Sequence, residues 1–259
     1  MRLLIIIFFA FFLYSCIATK KQVQTETITG INYIVKLPLV QGDRQYFDFG
    51  DTTPIYYYQD LIIYQLPYTF DSSLVTYHVK ADTISDKHIL IETRYNYFVY
   101  RQGSGNGMWY KSLEQLDSTK QIFTDSILKR VGTPANLLSI INSSNNSLID
   151  RTTLDKGNIF IDKYIPKAKL DESYNDTTLL YYSKILKPIK FSLSPFLDSL
   201  NNSKLYKLRL AYNETYSQKY SITMPQRDIV YEIVTLELTD LVKLKSLVQR
   251  FKQDEKRLL

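Results

Sequence analysis

The sequence predicts an α+β protein: a large, curved, mostly antiparallel β-sheet with a small helical insert and a C-terminal helix. Three observations lead there. Apolar residues recur with period two through most of the chain, as half-buried strands require. The period lengthens to three and four in only two places, residues 112–142 and 239–259. Of the 259 residues, 45% are hydrophobic and 22% charged, so the chain can bury a sizeable core without disulfide staples and is neither a tail nor a linker. Its eight glycines are too few for Gly-rich repeats, collagen or Gly-dense nucleotide loops.

The first element is an address. Met1 and Arg2 precede an unbroken apolar run, Leu3–Leu13, whose 11 residues suit a secretory signal and fall short of the roughly 20 that span a bilayer. The single cysteine follows in Leu13-Tyr14-Ser15-Cys16. This stretch resembles the lipobox of bacterial lipoproteins, departing from it at Tyr14, where the family has a small or branched residue. The resemblance implies removal of the signal peptide 1–15 and lipidation, palmitate included, of Cys16. With three acyl chains, each buried CH₂ contributing about 0.8 kcal/mol, attachment is expected to be permanent. Ile17 stands where inner-membrane retention wants Asp, and Ile17-Ala18-Thr19-Lys20-Lys21 has no acidic export run. The expected place is therefore the outer membrane, on its periplasmic leaflet. Residues 16–26 read as the lipidated N-terminus and tether, and 27–259 as a single α+β domain.

Along that domain the elements follow in order. Ile31, Tyr33, Val35 and Leu37 alternate with polar neighbours in a strand expected to end before Pro38. Ile55–Leu66 is dense in Tyr and Ile, Leu74–Ala81 alternates, and Ile89–Tyr100 alternates again. Gly103-Ser104-Gly105-Asn106-Gly107 marks a hairpin turn before Met108-Trp109-Tyr110. Leu113, Leu116, Phe123 and Ile127 fall at helical offsets, Gly132 stops that helix, and Thr133-Pro134 opens a second short one. The polar run Asn142–Ser147 closes the insert, and if there are halves, 27–141 and 148–259, they meet here. Strands resume at Ile159–Ile165 and Leu179–Leu186. Tyr206–Tyr212 has its antiparallel partner in Ile229–Leu238. Thr239–Leu259 is a basic amphipathic helix, with Leu241, Leu244, Val248, Phe251 and Leu258 on its apolar stripe.

Most chemistries lack their residues. Hydrolytic triads need a His, and His78 and His88 are the only two; neither adjoins a nucleophile motif, and Cys16 is spent on lipid. The two could approach across a hairpin, yet a pair of isolated histidines reads as surface or packing residues. Ser126-Ile127-Leu128-Lys129 matches Ser-x-x-Lys without its Lys-Thr-Gly partner and reads as helix surface. No His/Cys cluster or calcium loop is present, so no metal and no cofactor is expected. Asp48 and Asp51 are read as a turn. Asp82-Thr83-Ile84, Asp125-Ser126-Ile127 and Asp198-Ser199-Leu200 resemble a short envelope O-glycosylation acceptor, a pattern that implies surface modification and nothing more.

One excess remains: 22 Tyr and 13 Phe. On a sheet such rings pack across strands, or line a groove for a sugar, an acyl chain or a peptide. The candidate binding surface is Tyr56, Tyr58, Tyr64, Tyr95, Tyr97 and Trp109. Gly30-Ile31-Asn32-Tyr33 and Tyr46-Phe47-Asp48-Phe49 resemble the opening of the GLPGLI group among envelope proteins with a LolA-like curved sheet, although the naming Gly-Leu-Pro-Gly-Leu-Ile stretch is absent. The expected function is non-enzymatic: an envelope lipoprotein holding an apolar small molecule or another envelope protein on a Tyr-rich sheet. The alternatives are a glycan or lipid hydrolase using a carboxylate pair, and a scaffold docking through the basic C-terminal helix. The membrane is reached through the N-terminal lipid, and the compartment disfavours nucleic acid despite the net charge of +6.

Overall fold

The computed structural model describes residues 27–40, 46–78, 83–115, 119–131, 146–168, 175–219 and 221–258. The signal run, Cys16, the tether and the short helix expected from Thr133 lie outside them. In chain order the elements are β1 (Thr29–Val40), β2 (Tyr46–Tyr58), β3 (Leu61–His78), β4 (Thr83–Arg101), β5 (Asn106–Tyr110), β6 (Thr119–Phe123), α1 (Thr124–Val131) and β7 (Asn146–Leu154). Then come β8 (Ile159–Pro166), β9 (Thr177–Ser183), α2 (Pro195–Asn201), β10 (Lys204–Tyr212), β11 (Thr215–Ser217), β12 (Ile222–Met224), β13 (Arg227–Thr235) and α3 (Leu241–Leu258).

One open, curved antiparallel sheet carries the fold, in the order β6-β5-β4-β3-β2-β1-β13-β10-β9-β8-β7, and it does not close into a barrel. Eleven twisted strands cannot lie flat, because the rotation between neighbours accumulates. The first strand sits mid-sheet: β1 pairs with β2 on one side and, through Ile31 to Thr235 and Lys36 to Val230, with β13 on the other. The meander β1–β6 and the strands β7–β10 therefore meet across the β1–β13 ladder. β11 and β12 make a small separate hairpin between β10 and β13.

Three prolines lie in the interior of described strands, Pro38, Pro54 and Pro67. Each stands where its strand has a neighbour on one side only, so no ladder bond is lost. Pro38 lies beyond Lys36, where the β1–β13 ladder has ended, and β1 runs on to Val40 against β2 instead of stopping at the proline. Pro54 and Pro67 flank the short β2–β3 ladder, which covers Ile55 to Tyr58 against Leu61 to Tyr64. Beyond it the β1–β2 and β3–β4 hairpins separate.

The described strands use their two faces differently in the two parts of the sheet. One face carries the larger core across both parts: Tyr33, Tyr64, Phe98, Tyr100, Phe160, Leu180, Tyr182, Leu205 and Leu208 are buried there. It is covered by Ile127 and Val131 of α1 and by Phe191, Leu193 and Leu197 before and within α2. Ser194 caps α2 by accepting from the Leu197 N–H (3.3 Å), and Pro195 occupies the first turn. The Asp198 carboxylate then ties the helix to β10, accepting from Ser192 Oγ (2.7 Å), Lys204 Nζ (2.7 Å) and the Leu205 N–H (2.6 Å).

On the other face, β2–β5 build a second core from Tyr56, Leu61, Ile63, Tyr97, Val99, Met108 and Tyr110, closed by Leu244, Leu247, Val248 and Phe251 of α3. Burying each such side chain contributes about 1.5–3 kcal/mol. Polar contacts fix the helix as well: Tyr110 Oη donates to Asp254 (3.2 Å), and Arg101 forks onto Glu255 (3.1 and 2.7 Å) while also reaching Asp60. Across β10 and β13 that same face is charged, with Lys207 on Glu232 (3.2 Å) and Arg209 on Asp228 (2.9 Å).

Three further expectations need correction, and two elements were not expected. Ile55–Leu66 is two strands, because Gln59 takes a left-handed turn (φ 54°) and reverses the chain. The helix expected across Leu113 and Phe123 begins only at Thr124; β6 precedes it, paired to β5 with Phe123 exposed. β7 and α2 were not anticipated, since β7 is an edge strand with little burial and α2 is only seven residues long. Asp48 and Asp51 lie within β2, not in a turn.

Candidate functional site

The strands β4 and β5 differ in length, 19 residues against five. The turn Gln102–Gly105 starts β5 in register, so that Tyr100 faces Gly107 and Tyr97 faces Tyr110. Gly107 is needed there: the Phe98 ring and the Val99 carbonyl lie 2.5 and 2.6 Å from where a Cβ would sit. After Tyr110 the chain leaves the sheet. Ser112 Oγ accepts from the Glu114 (3.2 Å) and Gln115 (3.0 Å) backbone N–H groups, a local turn that bends the segment away from β4.

The space so opened is a groove of about 920 Å³, within the range of ligand sites. Glu92 to Tyr97 of β4 form one wall, Lys111 to Gln115 the other, and Asp240 and Lys243 at the start of α3 one end, with Tyr68 and Trp109 at its rim. Its charges sum to zero, Glu92, Glu114 and Asp240 against Arg94, Lys111 and Lys243, and two pairs are in direct contact. Arg94 Nε donates to Glu92 (2.8 Å), and Lys243 Nζ donates to Glu114 (2.8 Å), drawing the segment towards α3. The Lys243 ammonium holds the Glu114 carboxyl below its ordinary range, and burial, reinforced by Tyr56, Glu114 and Asp240, pushes the Tyr97 phenol up.

The six aromatic residues expected to form one surface are divided between the two faces of the sheet, as strand alternation requires. Tyr64 is buried in the larger core, stacked on Tyr100 (6.1 Å between centroids), and Trp109 packs against the same core. Tyr56 and Tyr97 are buried in the second core; Tyr56 Oη donates to Gln65 (2.5 Å), and burial pushes its phenol up to about 12. Tyr58 is half-buried with Lys252 Nζ 5.0 Å from its ring centre. Tyr95 is 38% exposed. Of the six, Tyr95, Tyr97 and Trp109 border the groove. Its other lining residues had one readable signal, the excess length of Ile89–Tyr100 over Met108–Tyr110.

The remaining candidates fall elsewhere. His88 is opposite Ser73 and His78 opposite Thr83, five ladder positions apart, so the hairpin does not bring them together. Ser126 and Lys129 lie on the exposed side of α1. Among the described residues no cluster of three His, Cys, Asp or Glu could hold a metal. The basic residues of α3 are largely engaged: Lys243 on Glu114, Arg250 and Arg257 on Asp254, Lys252 over Tyr58. Cys16 lies outside the described residues. No family model and no curated protein matches the chain.

Proposed function

We propose that the chain is a non-enzymatic lipoprotein of the bacterial outer membrane, anchored through Cys16, that holds another envelope protein in the groove beside β4. The observation that carries this reading is the use of the apolar surface. Both faces of β2–β5 are spent on the protein's own cores, which favours a protein partner over a free apolar molecule; the groove is polar, solvent-facing and edged by tyrosines. Scaffolding through α3 is disfavoured, since removing the helix strips the second core. The lipobox resemblance supports the anchor, and a Cys16→Ala variant should remain as the unprocessed, palmitate-free precursor.

A photo-crosslinking side chain at Gln115, on the groove wall, tests the binding site in cells. The expected result is a crosslink to one envelope protein that does not form from Lys245 on the exposed face of α3. Crosslinks absent from Gln115, or identical from both positions, overturn the reading. The hydrolase alternative draws on Glu92, Glu114 and Asp240 at the groove. Glycosidases need one carboxyl kept protonated near neutral pH. Glu114 is held ionised by Lys243, the opposite of that requirement.

A further inference from the structure

Six consecutive residues of one strand, Glu92 to Tyr97, line the groove. Successive side chains of a strand point to opposite faces, so a cavity touching all six takes in the strand's edge, with Tyr68 and the Asp240 and Lys243 end of α3 reaching it from beside the edge. The direction of the backbone groups can be worked out. The Gln102 N–H donates to the Asp60 carbonyl directly opposite (2.8 Å), extending the β3–β4 ladder by one pair beyond Leu61 and Arg101. Backbone groups alternate sides along a strand, and the ladder has no register shift between Glu92 and Arg101. Even-numbered residues here therefore turn their N–H and C=O to β3, and odd-numbered ones turn theirs the other way. Tyr97 and Val99 meet Tyr110 and Met108 of β5. The next two in line, Tyr95 and Thr93, turn their N–H and C=O into the groove, where the described residues supply no strand.

Resting on the binding role proposed above, we propose that the groove takes an extended peptide segment of the partner protein, added to β4 as a strand in line with β5 at Tyr95 and Thr93. Main-chain hydrogen bonds supply affinity in this mode, and alternate side chains supply specificity. β5 already sets the register and ends where the added strand would begin. The side-chain chemistry of that segment follows from the walls. The residue opposite Tyr95 shares its face and meets the Tyr95 and Tyr97 rings, which suits an aromatic or β-branched side chain. Along the walls Glu92, Glu114 and Asp240 balance Arg94, Lys111 and Lys243, so a segment without net charge fits better than an acidic or basic one. A second copy joined β4 to β4, and a glycan lying on the tyrosines, are the competing occupants.

The test separates backbone from side chain. A random library of linear peptides is displayed against the full-length lipidated protein in detergent, and enriched peptides are measured on Tyr95→Ala and Tyr95→Pro. Because the Tyr95 N–H faces the groove, proline there removes a donor without touching the β3–β4 ladder. The expected result is a partial loss of affinity for Tyr95→Ala, which removes only the ring, and a further loss of about tenfold or more for Tyr95→Pro, which removes the N–H as well. Hydrogen exchange gives a reading independent of the proline variant's folding: peptide must slow the Thr93 and Tyr95 amides of the wild-type protein. Failure to enrich any peptide, unslowed amides, or a wild-type dimer that Tyr95→Pro dissociates would each overturn strand addition. A Gln115 crosslink that survives Tyr95→Pro overturns strand addition while leaving the binding role intact.

Discussion

The strands β2–β5 and the strands β10 and β13 belong to one sheet, yet they solve burial differently. In β10 and β13 one face packs and the other carries charges, so Leu205, Leu208 and Leu210 are buried where Lys207 and Arg209 are not. In β2–β5 both faces are covered, and the sequence loses its alternation: Ile55-Tyr56-Tyr57 and Tyr97-Phe98-Val99-Tyr100 are buried at every position. A continuous apolar strand in an antiparallel sheet calls for a cover on each side. Here α3 is that second cover, and the groove opens where both it and β5 give out.

The largest expected effect is alkaline unfolding centred on the tyrosines. Burial raises the phenols of Tyr33, Tyr57, Tyr64, Tyr97, Tyr110 and Tyr182, and that of Tyr56 to about 12. In the unfolded chain they ionise near pH 10, at about 10. A pKa raised on folding contributes stability that is whole below about pH 10 and is lost as the pH climbs towards the folded value. Tyrosinate absorbance of these rings should therefore appear together with loss of the far-UV circular dichroism signal, after the exposed tyrosines have ionised; the full absorbance of all 22 tyrosines reached near pH 10 over an unchanged fold would refute their burial.

Next comes the second cover itself. Phe251→Ala should cost about 3–5 kcal/mol, read from the urea midpoint, because Phe251 is only 3% exposed. Gly107→Ala should cost about 1–3 kcal/mol through overpacking against the Phe98 ring and the Val99 carbonyl; an unchanged midpoint would mean that both have room to move. The smallest effect belongs to the charged face, where Lys207→Ala should cost under about 1 kcal/mol despite its ion pair with Glu232. A cost there comparable to that of Phe251→Ala would erase the distinction between the two regions.

The same distinction explains what could be read from sequence. Period two exposed the strands that bury one face, so β10 and its antiparallel partner β13 were legible down to their pairing. Where both faces are buried, periodicity carries no punctuation, and the turn at Gln59 was invisible because neither glycine nor proline marks it. β7 was lost for the opposite reason: a nearly fully exposed edge strand has no apolar face to show. The aromatic excess was correctly tied to the sheet, but placing Tyr56, Tyr58, Tyr64, Tyr95, Tyr97 and Trp109 on one surface ignored alternation between strands whose register was unknown. The groove depends on where β5 stops relative to β4, a difference of lengths that single-strand patterns do not register.

The position of β1 has a consequence for how the molecule is made. Ile31 to Lys36 find their β13 partners, Val230 to Thr235, only at the far end of the chain. Such long-range pairing slows folding, because the intervening loop must be closed before the contacts form. A chain that emerges N-terminus first therefore holds its first strand half-paired, against β2 alone, until nearly everything else has been delivered. During that interval an aggregation-prone edge is exposed in the middle of the future sheet, and a truncation that removes β13 would leave it exposed for good.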